Sequence, residues 1–166
     1  MSGQFKILRT FLDAVKADLI RPHDIAYERV GFLYGTQVNN LILAQDYEPI
    51  GDQFYIEDSR VGARFSGDVI KAALERTLKT GQAVFHTHIH EHDGEPFLSM
   101  VDVRSVIEIS RSLKAINPEA DHGCLILSND QAKAYVLTSQ GQLAPMFTTV
   151  IGFPISRFNK EKVYER

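Results

Sequence analysis

The stretch AVFHTHIHEHDGEPFLSMVDVRSVIEIS, Ala83 to Ser110, changes its period midway and so sets a strand directly before a helix. Side chains alternate faces along a strand, so His86 and His88 point one way while Phe85 and Thr87 point the other. Gly94 and Pro96 end the extended run. From Ser99 onward Val103, Val106, Ile107 and Leu113 recur at helical spacing until Asn117 and Pro118 stop the helix. Four of the six histidines of the chain, His86, His88, His90 and His92, fall in this one segment.

Outward from this strand and helix, the chain reads as strands interleaved with helices. On the N-terminal side, Ser66 opens and Gly81 closes a stretch of good helix formers. Before it, ERVGFLYG and NNLILAQDYEP are short, apolar and rich in branched or aromatic residues, and the turn-prone Gly35 to Asn40 joins them as an antiparallel pair. FYIE offers a further strand. In FKILRTFLDAVKADLIRP, Leu8, Phe11, Leu12, Val15 and Leu19 form a helical stripe ahead of Pro22, while FKIL alone also suits a strand. On the C-terminal side, GCLILS and KAYVLT form a last strand pair around Asn129 and Asp130. The reading is an α/β or α+β domain with helices on a mixed, largely antiparallel sheet. A single domain over residues 1–166 is expected, with 141–166 an extension of unassigned structure.

With 166 residues, 44% hydrophobic and 23% charged, the chain has an ordinary globular composition. A net charge of −3 gives no electrostatic grip on a phosphate backbone, so no nucleic acid partner is expected. No segment approaches the roughly 20 apolar residues of a membrane span, and the N-terminus lacks the features of a secretory signal, so a cytoplasmic protein without membrane attachment is expected. The single cysteine, Cys124, lies in the apolar run CLIL and reads as a buried small hydrophobe. His23 and Asp130 read as turn residues, His122 as a surface residue at a strand start, and Tyr34, Tyr47 and Phe54 as core or hairpin packing.

Two imidazoles two positions apart on a strand can reach one cation. A catalytic zinc needs a third protein ligand and an open coordination position. Asp102 suits that third place, because it lies on the first turn of the helix opened by Ser99 and can face back to the strand end. Ser99 and Asp102 equally suit a helix capping box. The pair His86 and His88 follows the buried-looking AVF, where a strand is most rigid. The pair His88 and His90 is also an H-x-H, but the rigid position favours His86 and His88 as the ligands. His90 and His92 stand where the strand should fray, and are expected on a mobile loop at a cleft rim, touching substrate or binding adventitious metal, with neither holding the catalytic ion.

Glu28 in ERVGFLYG, His86 and His88 in HTH, and Ser99 and Asp102 in SMVD together resemble the E-x-x-G, H-x-H and S-x-x-D pattern of JAMM metalloprotease domains, the prokaryotic JAB branch of the MPN superfamily. By element order the resemblance extends to Thr138. The chain departs from the pattern at Ile89, where the family has proline. Ten residues separate His88 from Ser99, against about seven in the family pattern.

The resemblance implies zinc on His86, His88 and Asp102, Glu28 as the general acid/base that holds the water, and Ser99 as a stabiliser of the tetrahedral intermediate. It implies a cytidine-deaminase-like sandwich and hydrolysis of an isopeptide or amide bond after the C-terminus of a ubiquitin-like or sulfur-carrier protein. The matching activating and conjugating enzymes would be further partners. Two other readings compete: a non-catalytic MPN-type scaffold, and a cupin-like metal enzyme built on the H-x-H and Glu95. The latter requires strands where 99–116 reads as helix.

Overall fold

The computed structural model describes residues 3–152. In chain order the elements are β1 (Gln4–Leu8), α1 (Arg9–Leu19), β2 (Val30–Val38), β3 (Leu41–Pro49), α2 (Gly67–Thr80), β4 (Ala83–Ile89), α3 (Met100–Ile116), β5 (Gly123–Leu127), β6 (Ala132–Leu137), β7 (Leu143–Pro145) and β8 (Phe147–Ile151). The FKIL segment is therefore a strand that passes straight into the amphipathic helix. The 17-residue α3 occupies the stretch that a cupin-like fold needs as strands.

The strands form one mixed eight-stranded sheet in the order β7-β6-β5-β4-β2-β3-β1-β8. The β1–β3, β1–β8 and β4–β5 ladders are parallel and the other four antiparallel, so parallel pairing is more extensive than the sequence suggests. Leu12, Val15 and Leu19 of α1 pack with Phe5, Phe85 and Leu125 on one face. On the other face Phe32, Tyr34 and Val84 meet Val69, Ile70 and Leu74 of α2 and Ile109 and Leu113 of α3. Every residue of β4 is buried, as expected of a central strand covered by helices on both faces.

The sheet curls until it is nearly barrel-shaped. At the start of β8, the Met146 N–H donates to the Ala134 carbonyl and the Ala134 N–H to Thr148 Oγ1, each at 2.9 Å, which draws this edge strand back to β6. The glycine of E-x-x-G has a packing reason. A Cβ at Gly31 would stand 2.5 Å from the Tyr47 hydroxyl, whose ring crosses β2 to donate to Asp18 of α1 at 2.7 Å.

Three local expectations change. FYIE is not a strand: Asp52–Phe54 is a 3-10 turn, and Tyr55 makes only an isolated bridge to Phe65. Tyr55 instead turns inward, where its hydroxyl accepts from the Val30 N–H at 2.8 Å. His122 is buried at 1% exposure rather than lying at the surface, because the Val84 N–H donates to its Nδ1 at 3.2 Å and its Nε2 meets the Asn117 carbonyl at 3.3 Å. Within the unassigned 141–166 segment, β7 and β8 extend the two edges of the sheet. The charged end NKEKVYER lies outside the described residues.

Candidate metal centre

The centre forms where β2 and β4 meet at one end of the sheet. The antiparallel register pairs Val30 with His88, so Glu28 and His90, each two residues farther out, approach one another. Strand periodicity sends His86 and His88 to the face covered by α2 and α3. His90 keeps that direction although β4 ends at Ile89, because its N–H donates to the Leu127 carbonyl at 2.9 Å. Glu28 is set by its backbone: its N–H and that of Tyr27 donate to the Gly62 carbonyl at 3.0 and 2.9 Å.

Ligand atoms of Glu28, His88 and His90 all lie within 4.8 Å of one another, so the three can hold a metal ion. The two histidine Nε2 atoms are 3.0 Å apart. Asp102 adds a second carboxylate, its Oδ1 3.5 Å from His88 Nε2 and its Oδ2 3.7 Å from His90 Nε2. The Glu28 carboxylate stands 3.9 Å from His90 Nε2.

Asp102 also caps its helix. The Asp102 N–H donates to Ser99 Oγ at 3.1 Å and the Ser99 N–H to Asp102 Oδ2 at 2.7 Å, a complete capping box. Capping and metal-facing roles are thus compatible in one side chain. The box leaves the Ser99 hydroxyl proton free.

Burial, with Asp102 as a second cause, raises the Glu28 carboxyl to about 7. Burial holds His88 well below the ordinary imidazole range and pushes His86 down to about 3. Neutral imidazoles present lone pairs to a cation, and a carboxyl near 7 can give or take a proton at neutral pH.

His86 and His92 lie outside the group of three. The His86 ring is 5.5 Å from that of His88, and its buried Nδ1 has no hydrogen-bond partner among the described residues. It sits on the floor of a cavity of about 370 Å³ that leads from Glu28 and Asp102 between α2 and α3, past Phe65, Ile70 and Ile109. The His92 ring stacks on Phe97, 5.5 Å between centroids.

The loop that follows β4 is tied down rather than frayed. The Gly94 N–H donates to Asp130 Oδ1 at 2.8 Å, Ser128 Oγ donates to the Gly94 carbonyl at 2.6 Å, and the Asn129 N–H donates to the His92 carbonyl at 2.9 Å. Lys16 on α1 in turn donates to the Asn129 carbonyl at 2.7 Å. The residues that fix the centre are therefore Leu127 to Asp130 for the His90 loop and Gly62 for Glu28, and their sequence signals are those of an ordinary strand end and turns.

No protein-family model matches the chain, and no curated protein matches it.

Proposed function

We propose that this chain is a zinc-dependent peptidase or isopeptidase of the JAMM type, with a cytidine-deaminase-like domain, acting in the cytoplasm on a ubiquitin-like or sulfur-carrier protein or its conjugates. The observation that carries the proposal is the meeting of His88, His90, Asp102 and Glu28 at one point from three separate segments of the chain. Nitrogens each about 2.0–2.1 Å from a tetrahedral zinc stand about 3.3 Å apart. The His88–His90 separation of 3.0 Å lies near that value, and Asp102 brings one oxygen to 3.5 Å from His88 and the other to 3.7 Å from His90. In this register His88, His90 and Asp102 would hold the ion with Glu28 at its edge, and His86 would be left beside them.

Zinc bound there would supply a Lewis acid for a carbonyl oxygen and lower the pKa of a water molecule toward neutrality. Glu28, set slightly farther out, takes the proton from the attacking water and returns it to the leaving amine. Burial raises its pKa toward neutrality, and the charge of a bound cation would act in the opposite direction. The free hydroxyl proton of Ser99 is available to an oxygen that gains negative charge. Low basicity at His88 keeps that ligand unprotonated through mild acid. Among the described residues no helix is long and apolar enough to cross a membrane.

Elemental analysis of the tag-free protein with His86→Ala, His90→Ala and Asp102→Ala tests the ligand set. About one zinc per chain, kept in His86→Ala and lost in the other two, is expected. Loss in His86→Ala with retention in His90→Ala would move the register to His86 and His88. Hydrolysis of a ubiquitin-like protein carrying a C-terminal aminocoumarin amide, abolished by Glu28→Gln with zinc retained, is the expected functional result. Equal hydrolysis by Glu28→Gln removes Glu28 as the proton carrier.

A further inference from the structure

Glycine at position 62 is unexplained by the backbone. The positive-φ glycines among the described residues are Gly81, Gly94 and Gly141, so the conformation at Gly62 is open to any residue. Its surroundings supply the reason. A Cβ built at Gly62 would stand 2.7 Å from Glu28 Cδ and would overlap Glu28 Oε2 more closely still. The same residue accepts both N–H groups that fix the backbone of Tyr27 and Glu28. Gly62 therefore touches Glu28 from two directions, through a carbonyl that holds the main chain and a bare Cα that bounds the carboxylate.

The segment that carries Gly62 is braced independently of Glu28. The Ile56 N–H donates to the Arg64 carbonyl at 2.8 Å, and the Ser66 N–H to the Phe54 carbonyl at 2.9 Å. Within the segment, Asp58 accepts from Arg60 at 2.8 Å and from Arg64 at 3.1 Å. Ala63 and Phe65 from this segment line the cavity beside the centre. A strap with its own bracing can resist displacement, so a side chain added at its contact point moves the flexible Glu28 carboxylate in preference to the strap.

We propose that Gly62 is a positioning residue for the reaction, and that the strap 56–65 sets the place of the Glu28 carboxylate by direct contact. The proposal rests on the reading of Glu28 as the proton carrier. It differs from a general packing role because it predicts relief by shortening or removing one particular partner side chain.

The experiment combines Gly62→Ala with Glu28→Asp and Glu28→Ala, and follows structure, melting temperature and turnover. In the crystal structure of Gly62→Ala the Glu28 carboxylate should move while the strap backbone keeps its place. A strap that retreats while Glu28 stays overturns the proposal. Gly62→Ala should lower the melting temperature, and Glu28→Ala in the same background should restore it; equal losses with and without Glu28 overturn the contact.

On the aminocoumarin amide of a ubiquitin-like protein, kcat should fall about tenfold or more with KM within about twofold, since base catalysis is worth roughly 10²–10⁴-fold. Glu28→Asp should recover part of that loss in the Gly62→Ala background. Unchanged kcat in Gly62→Ala overturns the positioning role. The structural and thermal measurements need neither zinc nor turnover, so they decide the contact even where the protease reading fails.

Discussion

Acid should destabilise this protein through His122, and the magnitude follows from its hydrogen bonds. The Val84 N–H already donates to Nδ1, so a proton can reach that nitrogen only by breaking a buried backbone bond. Burial is the first cause that brings the His122 pKa down from 6.5 to about 4. Because the folded value lies below the unfolded one, the unfolded chain binds more protons in acid. The stability is whole above about pH 6.5 and is lost as pH falls toward about 4. A shift of about 2.5 units corresponds to about 3 kcal/mol in total, of which about 2 kcal/mol is gone by pH 5.

Urea unfolding at pH 7.5 and pH 5 on the wild type and on His122→Asn measures the effect. Asparagine can place an oxygen where Nδ1 accepts but does not titrate. The wild type should lose about 2 kcal/mol more than the variant between the two pH values. Other buried histidines contribute equally to both proteins and cancel in the difference. Equal losses in the two proteins would refute the reasoning, as would an nuclear magnetic resonance titration of His122 near 6.5.

The double duty of Asp102 separates under substitution: Asp102→Asn should keep the melting temperature but weaken zinc binding about tenfold or more, whereas Asp102→Ala also loses about 1 kcal/mol of capping. Calorimetry and zinc titration together check both. Asp130→Ala should speed hydrogen exchange at the Gly94 amide and weaken zinc binding several-fold, because the loop that carries His90 is released; unchanged exchange would show that Asp130 is not the tether. Arg29 is 4% exposed and donates to the carbonyls of Arg21 and Pro22 and to Asp52. Arg29→Met should therefore cost roughly 2–4 kcal/mol in urea unfolding, and a loss below about 0.5 kcal/mol would refute that weight.

Much of the architecture was legible locally. The period change between β4 and α3, the Ser99 cap and the Gly81 terminus each come from residues a turn apart, and short-range chemistry decides them. The register of the H-x-H pair was not legible in the same way. His86, His88 and His90 all share one face, so alternation cannot separate them. In the proposed register they are separated by where the neighbours end: Glu28 lies beyond β2, Asp102 on the first turn of α3, and Ser128 to Asp130 close over the loop from another hairpin. Those contacts span long sequence distances, and Ser-Asn-Asp reads simply as a turn. His122 misled for the same reason, since its partners Val84 and Asn117 belong to other elements. FYIE had strand composition, but Tyr55 pairs its hydroxyl with β2 in place of a backbone ladder.

The pairing of β1 with both β3 and β8 bears on how the chain reaches this state. Gln4 lies beside Leu41 on one side and Phe147 on the other, so the first strand waits for the last to complete its ladder. Contacts that distant in sequence close slowly, because a long loop must be ordered before they form. Until residues 147–151 arrive, one edge of β1 is open to pairing with another chain. Truncations ahead of Phe147 should therefore aggregate rather than yield a smaller folded domain.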